Sequence, residues 1–204
     1  MLLNRIRTTD EFSKTELSYS ELQVRLLESE DEQKRLLAAN KLVMLGEAAV
    51  EPLINALRTR HDHVWTLAAS VLVKIGQPAV GPLIDALNDV DEQVRILAVG
   101  ALGRIGNPGA IPPLIQMLRR ENVQVQRLIT WALVKIGRSA VGPLIVALRD
   151  NTPLVQAAAA RALGDIGDPR AIAPLMAAQT TENPDVRAAI TEALARMGHT
   201  GVAV

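Results

Sequence analysis

Cysteine is absent from all 204 residues. That excludes structural disulfides, thiolate metal sites and a cysteine nucleophile within this chain, and it permits a reducing compartment. Aromatic residues make up only 2%, so any core has to be built from leucine, isoleucine, valine and alanine, which suit packed helices better than sheets. Charge of one sign is lacking as well. The 22 lysines and arginines equal the 22 aspartates and glutamates, leaving no long-range positive field of the kind that gathers nucleic acid. The opening MLLNRIR holds no apolar run of signal-peptide length, and no stretch is expected to supply the ~18 to 20 apolar residues of a membrane span. These absences predict a cytoplasmic chain.

What is present is a beat. An apolar residue followed by glycine recurs at Leu45-Gly46, Ile75-Gly76, Ile105-Gly106, Ile136-Gly137, Ile166-Gly167 and Met197-Gly198, at spacings of 30, 30, 31, 30 and 31. Pro52, Pro82, Pro113, Pro143 and Pro174 keep the same time. LVKIGQPAVGPLIDAL, residues 72–87, returns almost unchanged as LVKIGRSAVGPLIVAL, residues 133–148. A fixed period of this length marks a stack of like units, none of which can bury its apolar face alone.

Within a unit, PLIxAL predicts a short helix with proline in its first turn, where the missing N–H costs nothing. A longer helix follows. In the third unit its apolar positions Val94, Leu97, Ala98, Ala101, Leu102 and Ile105 follow the one-face helical template and predict its core. Asp31, Asp91, Asn122, Thr152 and Asn183 stand where an N-cap oxygen is wanted, with His61 or Asp62 in the second unit. The glycine after each last apolar residue supplies the left-handed position that ends the helix. The prediction is therefore an all-α chain, a right-handed α-solenoid (α/α superhelix) of about six helical hairpins. The units run about 20–46, 47–76, 77–106, 107–137, 138–167 and 168–198. Residues 1–19 form an N-terminal arm or cap in which Ser18 and Glu21 are spaced as a capping box, and 199–204 form a tail.

The segments DEQVRILAVGALGRIGNPGAIPPLIQML (91–118) and VQAAAARALGDIGDPRAIAPL (155–175) resemble the phycobilisome lyase type of HEAT-like repeat, whose pattern is roughly D-x-x-V-R-x-x-A-x-x-A-L-G-x-I-G-D-P-x-A-[IV]-x-P-L. The resemblance spans about residues 20 to 198. It implies a solenoid whose longer helices line a concave surface, in a family that includes bilin lyase subunits, phycobilisome degradation factors, a di-iron hydroxylase and many scaffolds. The chain departs from the pattern where Trp65, Gln126 and Gln156 replace the arginine kept at Arg35, Arg95 and Arg187. The hydroxylase would need His-Glu pairs, and none of His61, His63 and His199 is followed by glutamate.

No phosphate loop, HExxH or nucleophile elbow is present. GALGRIG (100–106) falls inside a long helix, where its glycines predict close helix packing, and His61 with His63 reads as a solvated helix start with no third ligand; no catalytic or metal-binding residue is assigned. Comparing the six long helices with one another isolates three columns opposite the predicted core: Leu36, Thr66, Ile96, Arg127, Ala157, Ala188; Asn40, Ser70, Gly100, Trp131, Arg161, Glu192; and Val43, Val73, Gly103, Val134, Gly164, Ala195. Positions that vary among otherwise similar units are candidates for partner contact, whereas small residues there also suit crowded helices. These columns predict a protein-binding scaffold without catalysis or cofactor, using Ile96, Arg127, Trp131, Arg161, Ser70 and Val134. Lys74, Arg104 and Lys135 form a basic row able to contact anions, or to complement the helix C-terminus. The alternative implied by the resemblance is a subunit of a phycobilin lyase or phycobiliprotein-processing factor, with bilin as ligand and a phycobiliprotein or second HEAT-like subunit as partner.

Overall fold

The computed structural model describes residues 17–59 and 61–199, and over these residues the chain is helical, with no strand. Most of residues 1–19 and of 199–204, the expected arm and tail, lie outside the described residues. Short and long helices alternate. The short ones are α1 (Tyr19–Leu26), α3 (Val50–Ala56), α5 (Val80–Ala86), α7 (Ile111–Met117), α9 (Val141–Ala147) and α11 (Ile172–Ala178). The long ones are α2 (Glu32–Leu45), α4 (Asp62–Ile75), α6 (Glu92–Ile105), α8 (Val123–Ile136), α10 (Pro153–Ile166) and α12 (Pro184–Arg196). A helix of seven residues is not stable alone in water. Each of the five seven-residue helices, α3, α5, α7, α9 and α11, is held instead by burying a leucine, Leu53, Leu83, Leu114, Leu144 or Leu175 respectively, against the long-helix layer. The result is two layers of helices around one continuous apolar core, an α-solenoid.

Four of the six expected N-caps form; His61, at the start of α4, makes no side-chain cap, and Thr152 is the second exception. Asp31, Asp91, Asn122 and Asn183 each accept from backbone N–H groups of the following turn, and Ser18 with Glu21 closes a reciprocal capping box. Thr152 starts α10 but makes no side-chain cap. Its own N–H is taken by the carboxylate of Asp150 at 2.9 Å, and Pro153 fills the first helical position without needing a partner. In the predicted core of α6, Val94, Ala98, Ala101 and Leu102 are buried, whereas Leu97 and Ile105 are only half-buried.

The six helix-ending glycines all have positive φ, from 57° to 79°, but they make two kinds of joint. Gly106 and Gly167 are left-handed helical (ψ 20° and 23°), and the next residue, Asn107 or Asp168, caps the following 3-10 turn. Gly46, Gly76 and Gly137 have ψ near −123° to −137° and lead on without such a cap. The sequence difference is one residue: the proline directly before the buried short-helix leucine stands six positions after Gly46, Gly76 and Gly137 (Pro52, Pro82, Pro143) but seven after Gly106 and Gly167 (Pro113, Pro174).

Across the longer joints the long helices close up. α6 packs on α8, and α10 on α12, far more closely than α4 on α6 or α8 on α10. The third variable column explains this. Gly103 and Gly164 stand at the close approaches, where a Cβ would lie within 2.8 Å of Ala132 and Ala193 respectively. Valine (Val43, Val73, Val134) occupies the column wherever the next long helix stands off. Gly100 behaves differently from the close packing expected of GALGRIG, since a Cβ there would meet nothing within 4 Å.

One further expectation needs correction. α8, the turn at Gly137 and α9 together, Val123–Ala147, form a 25-residue stretch apolar and long enough to satisfy the composition of a membrane span. Its apolarity is accounted for by the solenoid: Val125, Ile129, Leu133 and Leu144 are buried in the core, and Gly137 breaks the run with φ 77°.

Candidate functional site

The pattern arginine is structural. Arg95 donates to the carbonyls of Asp89 and Val90 at the end of the preceding turn and to Glu121 of the next unit; Arg35 donates to the carbonyls of Ser29 and Glu30. Where glutamine replaces it the work is the same. Gln126, itself buried, donates to the carbonyls of Leu118 and Glu121 at 3.1 and 2.9 Å, and Gln156 to that of Asp150 at 2.6 Å. The side chains of Arg35, Arg95, Gln126 and Gln156 thus satisfy carbonyls left open in the turn before the long helix, which gives those four a structural role; Trp65, at the same position of α4, has no such donor geometry and faces a cleft over the long helices.

Two clefts remain on the face of the long-helix layer, and Trp131 is the wall between them. The first, about 420 Å³, crosses α4, α6 and α8 and is apolar: Trp65, Ala69, Val73, Ile96, Leu97 and Leu128 line it, with Gly100 leaving open space and Arg104 at its border. The second, about 390 Å³, crosses α8, α10 and α12 and is polar, with Arg127, Thr130, Arg161, Asp165 and Arg196 beside Trp131 and Val134. Both open over a loose helix pair, α4/α6 and α8/α10, where Val73 and Val134 hold the backbones apart. Trp131 itself is 37% exposed, and the ammonium of Lys135 stands 5.8 Å from its ring centroid. The edge of the indole is fixed from behind, because the close approach at Gly103 lets Trp131 lie over α6.

The structure therefore brings together Ile96, Arg127, Trp131, Arg161 and Val134 around these clefts. Ser70 is half-buried and lines neither. Of the basic row, Arg104 borders the apolar cleft and Lys135 lies on Trp131, while Lys74 is exposed away from both. Four contributors were not singled out by sequence. Leu97 and Leu128 belong to the core template, yet their outer faces line the cleft; Trp65 forms the wall opposite Trp131; and Asp165 pairs with Arg196 across units. That pairing holds the Arg196 guanidinium above its ordinary pKa, chiefly through the Asp165 charge. By contrast, Arg127 and Arg161 have no hydrogen-bond or ion-pair partner among the described residues.

Among solved structures the chain is similar to human deoxyhypusine hydroxylase (18% identity, 88% of this chain and 96% of that chain, TM-score 0.49). It is also similar to a designed armadillo repeat protein in complex with the peptide (KR)4 (22% identity, 88% and 100%, TM-score 0.46), and to the complex of CpcE and CpcF of phycocyanin lyase from Nostoc sp. PCC7120 (26% identity, 95% and 83%, TM-score 0.44). No curated protein matches the sequence. The family model for HEAT repeats matches residues 80–150 and 141–203, more than half of the chain. With the paired helices, the capped joints and the shared core already described, this places it: the chain belongs to the HEAT-repeat family.

Proposed function

We propose that the protein is a non-catalytic scaffold that holds a protein partner on the face of its long helices, the concave face of the solenoid, with Ile96, Arg127, Trp131 and Arg161 at the centre of contact. The observation that carries this reading is Trp131: a half-exposed indole in a chain with only two tryptophans, standing between an apolar and a polar cleft. Tryptophan and arginine are the side chains that most often dominate binding energy at protein interfaces. Affinity capture from extract of the source cell with tagged wild type and with an Arg127→Glu, Trp131→Ala variant tests it. Both positions are solvent-facing, so the variant should fold, and the reading requires it to lose proteins that wild type retains. A folded variant that retains every partner overturns the proposal.

A second reading, a subunit of a bilin lyase or another phycobiliprotein-processing factor, is favoured by the repeat motif itself, A-L-G-x-I-G-[ND]-P at Ala101–Pro108 and Ala162–Pro169. Under it the acceptor thiol belongs to the substrate protein, so a chain without cysteine is compatible. Mixing with free phycocyanobilin, with and without a second HEAT-like subunit, should then shift and sharpen the pigment's absorption band. An unchanged spectrum under both conditions rejects it.

A further inference from the structure

We infer that the two clefts flanking Trp131 together read a short extended segment of a partner protein that carries an aliphatic or aromatic anchor at one end and paired carboxylates at the other. The inference deepens the scaffold reading and rests on it.

Charge complementarity is its basis. The polar cleft is lined by three arginines and one aspartate. The aspartate, Asp165, is already engaged by Arg196, which also holds Glu192 at 2.8 Å. Arg127 and Arg161 are left facing the same cleft from neighbouring helices without an acidic partner among the described residues. Two like charges sharing a cleft repel each other, and a carboxylate between them removes that cost while forming charge-assisted hydrogen bonds in the fork geometry guanidinium favours. Lys135 adds positive charge at the Trp131 ring. The whole chain is electrically neutral, so this local excess is a feature of the cleft and not of the protein.

The apolar cleft supplies the other half. Trp65, Ile96, Leu97 and Leu128 present a recess in which the missing side chain of Gly100 leaves room for an inserted one. Its opening lies over the α4/α6 gap and that of the polar cleft over the α8/α10 gap, two units further along. Packed helices stand about 8–10 Å apart, so the openings are roughly 16–20 Å apart, which an extended chain at ~3.3 Å per residue covers in about five or six residues.

Selection of peptides from a random twelve-residue display library on the immobilised full chain tests this. The expected result is enrichment of sequences with two acidic residues about five or six positions from a leucine, phenylalanine or tryptophan. An Arg127→Gln, Arg161→Gln variant should lose about tenfold or more in affinity for the winners, the scale of one or two lost charge-assisted contacts; exchanging their acidic residues for lysine should do the same against wild type. Enrichment without acidic residues, selection of basic sequences, or no enrichment overturns the inference, as does a double variant that binds the winners as wild type does. The two proposals fail separately: if cellular partners are lost with Trp131→Ala but kept with Arg127→Gln, Arg161→Gln, the scaffold reading stands and the acidic-segment inference falls.

Discussion

Gly103 of α6 lies against Ala132 of α8 so closely that a Cβ on the glycine would stand 2.8 Å from both the Cα and the Cβ of Ala132, and 2.9 Å from the Trp131 ring. The backbone itself is the contact surface there. The same holds for Gly164 and Ala193 of α10 and α12, and each glycine sits three residues before a left-handed helix end.

Adding one methyl at this contact should therefore be costly. Gly103→Ala forces α6 and α8 apart or displaces the indole, and overpacking of this kind costs about 1–3 kcal/mol. Gly100→Ala, on the same helix with nothing within 4 Å of the new Cβ, should instead stabilise by about 0.5–1 kcal/mol, because glycine loses more backbone freedom in a helix interior. Urea denaturation of the two variants beside wild type gives shifts of opposite sign if the two glycines have these different roles.

Leu102 and Leu133 are fully buried between units. Truncating either to alanine removes packed methyl groups and leaves a cavity, at a cost of ~2–5 kcal/mol. Thermal unfolding followed by circular dichroism measures it, and a variant that melts with wild type would show that the unit-to-unit register is misassigned.

Gln126 donates from a buried site to two carbonyls. Gln126→Leu leaves those acceptors without this donor and should cost about 1–3 kcal/mol. Gln126→Arg restores the residue found at the corresponding Arg95 and Arg35, and should recover most of the loss. Equal destabilisation by both substitutions would separate Gln126 from the capping role that Arg95 shows.

The Asp168 carboxyl is pulled down from 3.8 to about 2, first by the side-chain hydrogen bonds of Arg170 and then by the Arg170 backbone N–H. Because the folded value is depressed, the native state binds fewer protons than the unfolded chain between these values, so stability is present above pH 3.8 and is lost as pH falls through about 2. Asp168→Asn should keep the 3-10 cap through its amide oxygen yet flatten the acid limb of stability against pH in that window. An unchanged slope would contradict the linkage.

Much of the architecture was legible because its causes are local. The 30-residue beat, the N-cap oxygens, the first-turn prolines and the positive-φ glycines are each set by a residue or two acting on its own backbone, so they survive without tertiary information. The alternation of tight and loose helix pairs was written just as plainly, in one extra joint residue after Gly106 and Gly167 and in glycine for valine three residues before, but its meaning depends on the neighbouring unit. The candidate site was legible as columns of variable residues. What those columns could not convey is that Leu97 and Leu128, which a helical template assigns to the core, turn partly outward beside the gaps that the valine spacing opens, and that Trp65, at the arginine position, lines the same cleft.

The most direct test of the central claim is site-specific photocrosslinking. A photoreactive benzoylphenylalanine replaces Trp131 on the long-helix face in one protein and Val146, 73% exposed on the short helix α9, in another. Each is irradiated in source-cell extract, and the adducts are mapped by mass spectrometry. The account predicts discrete protein adducts from position 131 that fall away in the presence of excess unlabelled wild type, and none of these from position 146. Competable adducts arising from 146 with none from 131 would place the partner on the opposite face and contradict it.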